Sequence, residues 1–543
     1  MKPIESVLTG LACVVPLLGG CALAPPSRSP GVATPSSWTA RAPVPDSQPA
    51  GPATRPFEAV AWWESLNDPT LNSLIRRATT SNLDLRLAEA RVREARAARA
   101  LAAADLWPQV NVAGSYAYRG SSLNSGPGLE GGTSPAEQVR NNAVNSALRS
   151  LTRAAGGATD ATAADTTPAG IVGQAISSAI SNRLAGDAPR ASRDQNLFLA
   201  GFDASWELDL FGGRRRAVEA ADAEIAAAQE DRRAVLLTLL SEVALNYVQL
   251  RGFQRRLAIA RENIQLQQDT VALTRERFEA GFASKLDLTQ AQTQLASTQS
   301  QVPLFRAAIR QTIYQLSVLL AQPPGTLLKE LEEEGPLPAP TANPSIGLPS
   351  ELLRRRPDIR AAEQRLAVAT ARSAEAIADL FPRFSLTGSI GPQSRTMRHF
   401  LDAQSLTWSV GPALSWPLFD GWRIRSNIQI QDARQEQAVT AYEQTVLTAF
   451  QEVENALTAY IEERFRFQSL VEAVRASRES VALSTELFAK QWTNFLSVLE
   501  SQRALYASQD QLVQSQTAVI TNLIALYKAL GGGWQVAEET ASP

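Results

Sequence analysis

The chain of 543 residues repeats one pattern twice, and this duplication constrains its fold more than any single motif does. The matching pairs include Asp84 with Asp358, Pro108 with Pro382, Leu210-Phe211 with Leu418-Phe419, and Phe278 with Phe488. Their sequence numbers differ by 274, 274, 208 and 210, and the difference between 274 and 208 indicates an insertion of length 66 in the first copy. We therefore predict a first repeat at 61–322 with an insertion at 119–196, a linker at 323–350, and a second repeat at 351–530.

Within each copy, a stretch in which apolar and polar residues alternate is followed by a long stretch with a helical pattern. From Phe198 to Leu210 every even position is apolar and most odd positions are polar, which is the period of a strand with one apolar face. The following run, about 214–280, contains no proline and returns an apolar residue every three or four positions. As a helix it would be about 100 Å long, and the second copy predicts a matching helix at about 423–490. Shorter helices at 285–322 and 495–530 follow breaks at 281–284 and 491–494.

Four strands of the two-faced type are predicted, at about 109–118, 198–210, 383–390 and 405–418. Each has about the length that crosses a bilayer when tilted. The aromatic residues on their apolar faces, which are typical of the girdles of outer-membrane barrels, are Tyr116, Tyr118, Trp206, Trp408 and Trp416. The alternative is a soluble antiparallel sheet with one face on a core.

Four strands cannot close a membrane barrel, because about eight are needed and an open edge in lipid leaves backbone groups unpaired. Two or three copies sharing one barrel would supply eight or twelve strands, and twelve would leave a lumen. The Ala, Gln and Glu content of the long helices suits a helical tube with a wet interior, although a solid coiled-coil bundle remains the alternative.

The composition argues against an enzyme, a metal site and a nucleic-acid partner. His399 is the single histidine, and Cys13 and Cys21 are the two cysteines, so the usual ligands and general bases are nearly absent. The net charge of −2 provides no attraction to nucleic acid. The sequence contains neither a phosphate-binding glycine loop nor a nucleophile elbow. We expect no cofactor beyond a covalent lipid.

The N-terminus predicts that lipid. An apolar run from Val7 to Leu18 ends in Leu18-Gly19-Gly20-Cys21, which resembles the lipobox of bacterial lipoproteins. Residues 1–20 are then a signal peptide, Cys21 carries the lipid, and 21–60 form an extended segment. An ordinary secretory signal is the alternative. Residues 531–543 are predicted to be a polar tail.

Several motifs in order resemble those of the TolC-type outer-membrane efflux channels, and in particular the lipoprotein branch that includes OprM and NodT. These motifs are Trp62-Trp63, Asn67-Asp68-Pro69, Arg355-Arg356-Pro357-Asp358-Ile359, Leu418-Phe419-Asp420-Gly421 and Tyr527-Lys528-Ala529-Leu530-Gly531-Gly532-Gly533-Trp534. The resemblance implies a homotrimer with a twelve-stranded barrel in the outer membrane and a periplasmic helical tunnel. It also implies an inner-membrane pump and a periplasmic adaptor, or membrane fusion protein, as partners.

The resemblance further implies a periplasmic aperture formed by a leucine and an acidic residue one helical turn apart. The matching positions are Leu496 and Glu500, where the family has aspartate at the second, and Leu286 and Gln290 are their equivalents in the first copy. A passive exit channel of a tripartite efflux system is the predicted function. The alternatives are a lipid-anchored coiled-coil structural protein without a lumen and the exit duct of a type I protein secretion system.

Overall fold

The computed structural model describes residues 35, 37–39, 61–120, 194–339 and 349–535. The predicted signal peptide 1–20, the lipid site at Cys21 and most of the extended segment 21–60 lie outside the described residues. So do most of the predicted insertion 119–196, part of the linker and the last residues of the tail.

Nine α-helices and four strands are the main elements of the described residues. In chain order they are α1 (Pro69–Ser81), α2 (Leu83–Ala104), β1 (Gln109–Gly120), β2 (Asp194–Leu208), α3 (Gly213–Glu279), α4 (Lys285–Leu319), α5 (Leu328–Leu331), α6 (Pro349–Arg355), α7 (Pro357–Ala378), β3 (Arg383–Ser394), β4 (Leu406–Ser415), α8 (Arg423–Ala489) and α9 (Phe495–Ala529).

The predicted helices are present with ends that differ by three residues or fewer. The long helices α3 and α8 each have 67 residues, and α4 and α9 each have 35. The strands differ more, since β2 begins at Asp194 rather than at 198 and β4 ends at Ser415 rather than at 418. The predicted linker also contains structure, because α5 lies within it and α6 begins at its end.

The strands form one antiparallel sheet in the order β1-β2-β3-β4. Gln109 pairs with Ser205, Ser205 pairs with Thr387, and Arg383 pairs with Ser415. Because each of these pairings joins positions of the same parity, the even-numbered apolar residues of all four strands share one face. That face is exposed in the single chain, as the 73% exposure of Val112 and the 72% exposure of Trp408 illustrate.

The chain divides into two compact units. One contains the sheet and comprises the described residues of Ala97–Asp222 and Ala367–Glu436. The other comprises the described residues of Arg28–Arg96, Ala223–Leu366 and Gln437–Pro543. Its largest hydrophobic cluster joins α1, α3 and α4, with Leu71, Leu240 and Ile313 fully buried.

None of the described helices combines the length and the apolar character needed to cross a membrane.

The hydrogen bonds correct one offset of the duplication. Trp206 Nε1 donates to the Leu106 carbonyl (2.9 Å), and Trp416 Nε1 donates to the Leu380 carbonyl (3.1 Å). Because Leu106 and Leu380 are related by the offset of 274, the two tryptophans are structural equivalents, and their own offset is 210. The offset of 208 read from Leu210-Phe211 was therefore wrong as a structural alignment, since that match lies in the turn between strand and helix. The length of the insertion becomes 64, the difference between the offsets 274 and 210.

A second pair of contacts confirms the offset of 210 inside the helices. Arg99 Nε binds Asp222 Oδ1 (3.0 Å), and Ser373 Oγ binds Asp432 Oδ1 (2.7 Å). Arg99 and Ser373 are related by the offset of 274, whereas the two aspartates are related by the offset of 210. The duplicated copies thus use equivalent positions for equivalent contacts even where the side chain differs.

Candidate functional site

The candidate aperture contains two helix turns, by which we mean the short connections between consecutive helices at 280–284 and 490–494. The first helix turn connects α3 to α4. Gly281 ends α3 in a left-handed conformation, with φ at 79°, and the Phe282 N–H donates to the Arg277 carbonyl (2.7 Å). This is the hydrogen-bonded helix end that favours glycine. Ser284 and Asp287 then start α4 as a capping box, because the Asp287 N–H donates to Ser284 Oγ (3.1 Å) and the Ser284 N–H donates to Asp287 Oδ2 (2.9 Å).

The second turn, between α8 and α9, has the same geometry with less favourable residues. Gln491 takes the left-handed conformation, with φ at 64°, in the place where the first copy has Gly281. A side chain in this conformation costs about 1–2 kcal/mol. The Trp492 N–H donates to the Leu487 carbonyl (2.9 Å), and Asn494 Oδ1 caps α9 by accepting from the Ser497 N–H (3.1 Å).

Arg277 connects the two helix ends. It donates from Nη1 to the Phe488 carbonyl and from Nη2 to the Ala489 carbonyl, both at 2.9 Å, and its guanidinium lies 4.5 Å from the centre of the Phe488 ring. The last carbonyls of a helix have no partner inside that helix, and at the end of α8 the Phe488 carbonyl also accepts from the Gln491 N–H of the turn (3.1 Å). Arg277 therefore satisfies them from the neighbouring helix, with a charge that complements the helix dipole.

Leu496 and Glu500 lie on an exposed face of α9, while the opposite side packs into a core. Phe495, Val498 and Leu499 are each 2% exposed and form a cluster with residues of α3, α4 and α8. Leu496 is 45% exposed and Glu500 is also exposed. At 3.6 residues per turn, positions 496 and 500 are neighbours on one face, away from the buried stripe. This placement suits a ring around a pore, and the ring itself stays a prediction.

Arg503 was not singled out from the sequence. It is exposed, follows Glu500 by three residues, and donates from Nε to Gln294 Oε1 of α4 (2.6 Å). The spacing of three from Glu500, which places both on one helix face, was the available signal. The guanidinium joins α9 to α4 and adds a positive charge close to the predicted acidic ring.

The equivalent place in the first copy has no acidic side chain at its second position. Leu286 is 64% exposed, and Gln290 is half-buried. The adjacent residue Asp287 carries a carboxylate, which forms the capping box with Ser284. The two positions equivalent to Leu496 and Glu500 therefore offer uncharged side chains to an aperture.

The predicted girdle residues all belong to the apolar face of the sheet, in different roles. Tyr116 donates from its hydroxyl to Asn196 Oδ1 (2.9 Å) and packs against Phe198, with ring centres 4.9 Å apart. Tyr118 and Trp408 are exposed. Trp206 and Trp416 use their indole N–H groups to bind the carbonyls described above, and Trp416 lies just beyond the end of β4.

The ends of β2, α2 and α7 meet in a charged cluster that the sequence did not reveal. Arg214 binds Asp105 (3.2 Å) and Glu207 (3.0 Å). Burial, followed by repulsion from Asp379, raises the pKa of Glu375 above its ordinary value. Within the described part of the chain, no group of three or more His, Cys, Asp or Glu side chains is arranged to hold a metal ion.

The comparison with known proteins gives one consistent set of relatives. The sequence model of a family described as "Outer membrane efflux protein" matches residues 146–322 and 348–532. The chain is 31% identical over 527 residues to the pyoverdine export outer membrane protein OpmQ of Pseudomonas aeruginosa, with 96% of each chain covered. It is 34% identical over 386 residues to nodulation protein T of Rhizobium leguminosarum bv. viciae, which covers 71% of this chain and 79% of the relative. The solved structure of the outer-membrane channel OprN aligns with a TM-score of 0.76 at 32% identity, over 95% of this chain and 100% of that one.

Proposed function

The chain belongs to the outer membrane efflux protein family, and from that premise we propose that Leu496 and Glu500 narrow the periplasmic end of its channel. The protein is a passive outer-membrane exit channel and has no enzymatic role. Its fold is that of the trimeric channels, in which a barrel in the outer membrane is continued by periplasmic helices. Membership of this family is incompatible with a shaft without a lumen and with a soluble sheet.

The placement of Leu496 and Glu500 on one exposed face of α9 is the observation that carries the aperture proposal. Three copies around a common axis would form an apolar ring beside an acidic ring. Carboxylates in a narrow pore attract cations and repel anions. Leu286, exposed in the first copy, would add apolar side chains to the same constriction.

The two helix turns are the surfaces that we assign to the periplasmic adaptor. Each turn exposes one large aromatic side chain at an equivalent position, with Phe282 at 71% and Trp492 at 73% exposure. Exposed aromatic side chains are enriched where proteins bind one another. An adaptor that engages both turns would move the starts of α4 and α9, which carry Leu286 and Leu496. The energy for transport would come from an inner-membrane pump.

The covalent lipid at Cys21 belongs to the same proposal. The lipobox-like sequence before Cys21 would direct diacylglycerol attachment, and the lipid would hold the N-terminus at the outer membrane. Mass spectrometry of the mature N-terminal peptide tests this point, because an unmodified cysteine would contradict it.

The relatives favour small-molecule cargo over a secreted polypeptide. Their names refer to pyoverdine export, toluene efflux and antibiotic efflux. We propose that this channel likewise serves a small-molecule pump rather than a type I secretion system.

Single-channel recording in planar bilayers tests the aperture. We expect the wild type to show small, cation-selective openings, and Glu500→Gln to show larger openings with weaker cation preference because three carboxylates are lost from the constriction. Glu500→Asp keeps the charge and should keep the selectivity. Glu479→Gln, which removes an exposed carboxylate from α8, is the matched control and should behave as the wild type. A folded, trimeric Glu500→Gln variant with unaltered conductance and selectivity would show that Glu500 lies outside the constriction.

A further inference from the structure

The sheet of a single chain has two open edges. In the described residues, β2 and β3 each pair on both sides, whereas β1 and β4 each pair on one side only. An unpaired strand edge in lipid leaves backbone N–H and C=O groups without partners, at a cost of several kcal/mol per group. In the trimeric channel, β4 of one copy must therefore pair with β1 of the neighbouring copy.

The apolar face fixes whether even positions pair with even or with odd positions. Val112 in β1 and Trp408 in β4, like the other apolar residues of these strands, have even numbers. A shift of one residue would turn the polar face of β1 to the side on which β4 is apolar. Even positions of β4 therefore lie opposite even positions of β1 of the neighbouring copy.

The duplication selects one register from those that remain. We call a boundary between two paired strands of different repeats a seam. The β2–β3 seam pairs the last strand of the first repeat with the first strand of the second repeat. The seam between neighbouring copies is equivalent, because it pairs β4, the last strand of one repeat, with β1, the first strand of the next. Within the chain, Ser205 pairs with Thr387. The offset of 210 relates Ser205 to Ser415, and the offset of 274 relates Thr387 to Ala113. We propose that Ser415 of one copy pairs with Ala113 of the neighbouring copy, with the rest of β4 and β1 following this register.

The pairings inside the chain independently support the offset of 210, because Gln109 pairs with Ser205 and its equivalent Arg383 pairs with Ser415, and a glycine recurs at the same offset. Gly201 lies in the β2–β3 seam, where an added Cβ would be 2.7 Å from the Ile390 carbonyl oxygen, so only glycine fits. The position related to it by the offset of 210 is again a glycine, Gly411, and an added Cβ there would meet nothing within 4 Å in the single chain. The offset of 208 would instead put Ser409 in that place. The facing position differs between the two seams, because Gly391, where an added Cβ would be 2.1 Å from the Ala200 carbonyl oxygen, is related by the offset of 274 to Ala117.

The register also pairs an aromatic with an aliphatic residue at two positions across the seam. It places Trp416 opposite Val112 of the neighbouring copy, and Val410 opposite Tyr118 of that copy. The apolar face then continues without a break from one copy to the next. The proposal rests on the trimeric channel proposed above and specifies how its copies join.

Disulfide formation tests the register with one fixed cysteine and three partners. Ser415→Cys is combined in turn with Asn111→Cys, Ala113→Cys or Ser115→Cys, all on the polar face of the sheet, in the full-length protein purified from membranes. Directly opposite residues are within disulfide reach, whereas residues two positions further along are about 7–8 Å away and are not. The matched control is Ser205→Cys with Thr387→Cys, which occupies the equivalent place inside one chain and should form an intrachain bond. Ser415→Cys alone controls for the native cysteines.

We expect oxidation to give covalent dimers and trimers on non-reducing denaturing gels for the Ser415→Cys/Ala113→Cys pair, about tenfold more than for the other two pairs. A maximum at Asn111→Cys or Ser115→Cys would overturn the register. Absence of crosslinks with all three partners, in a conducting trimer whose Ser205→Cys/Thr387→Cys control does crosslink, would overturn the β4–β1 seam while leaving the channel function intact. A wild type that is monomeric in detergent and does not conduct would instead refute the proposed function.

Discussion

Replacing Arg277 by methionine should loosen the end of α8 at the second helix turn. Methionine keeps apolar contact with the Phe488 ring but loses the two hydrogen bonds of 2.9 Å to the Phe488 and Ala489 carbonyls. A hydrogen bond from a charged donor contributes about 1.5–3 kcal/mol when shielded from water. The bond to Ala489 is exposed and contributes less, because water can replace the guanidinium. We therefore expect a loss of about 2 kcal/mol in the local stability of this turn.

Hydrogen–deuterium exchange measures this loss directly. Amides in a peptide covering 484–494 should exchange about 30-fold faster in Arg277→Met, since about 1.4 kcal/mol corresponds to a factor of ten in the opening equilibrium. Peptides from α1 and from the middle of α3 should be unchanged. Arg275→Met removes an exposed arginine two residues away and is the control. Exchange that rises by less than about threefold, or equally in the Arg275→Met control, would refute the assignment of Arg277 as the cap of α8.

Three further perturbations follow from the described contacts. Gln491→Gly should stabilise the second turn by about 1 kcal/mol, because its φ of 64° suits glycine as at Gly281, and slower exchange in the same peptide would confirm it. Burial and a hydrogen bond to Asp68 raise the pKa of Tyr247 from 10.0 to about 12, so the fold favours the neutral phenol and stability should fall as the pH rises from about 10 to about 12. Thermal unfolding across that range should show a steeper fall in the wild type than in Tyr247→Phe, because the pKa values of Tyr442, Tyr506 and Tyr527 are raised as well and keep part of the slope. Burial also raises the pKa of Glu375, so Glu375→Gln should increase the unfolding temperature above pH 4.5, the group's ordinary pKa, and lose this advantage in more acidic solution. An unchanged or lower unfolding temperature at neutral pH would contradict that reasoning.

Helix caps and helix breaks can be predicted from the sequence because they depend on residues that are neighbours in the chain. Asp68 is a residue type that favours the N-cap, the following Pro69 suits the first helical position, and Asp68 Oδ1 accepts from the Thr70 and Leu71 N–H groups at 2.9 and 3.1 Å. The helix breaks at 281–284 and 491–494 were predicted, since Gly281 and the polar caps at the starts of α4 and α9 are recognisable from neighbouring residues.

The contacts of the candidate site that were missed join residues far apart in the chain. Arg277 reaches Phe488 across 211 positions, and Arg503 reaches Gln294 across 209. An arginine in a polar helix has the same appearance in the sequence whether it is solvated or caps a neighbouring helix. The distinction depends on which helices are neighbours, and the hydrophobic period of a helix does not specify this.

The register of the strands shows where the sequence pattern stops being sufficient. Alternation with a period of two determines which face of each strand is apolar, and therefore whether even positions pair with even or odd positions. It leaves all shifts by two residues equivalent, because each of them keeps the apolar face continuous. The short motif Leu210-Phe211 selected an offset of 208, whereas the indole hydrogen bonds of Trp206 and Trp416 require 210. A motif shared by two turns shows only that the turns are similar. A hydrogen bond from a strand residue to a fixed carbonyl shows which residues of the two strands are equivalent, and therefore defines the register. For this reason the offset of 210, rather than the motif, defines the register that the crosslinking experiment tests.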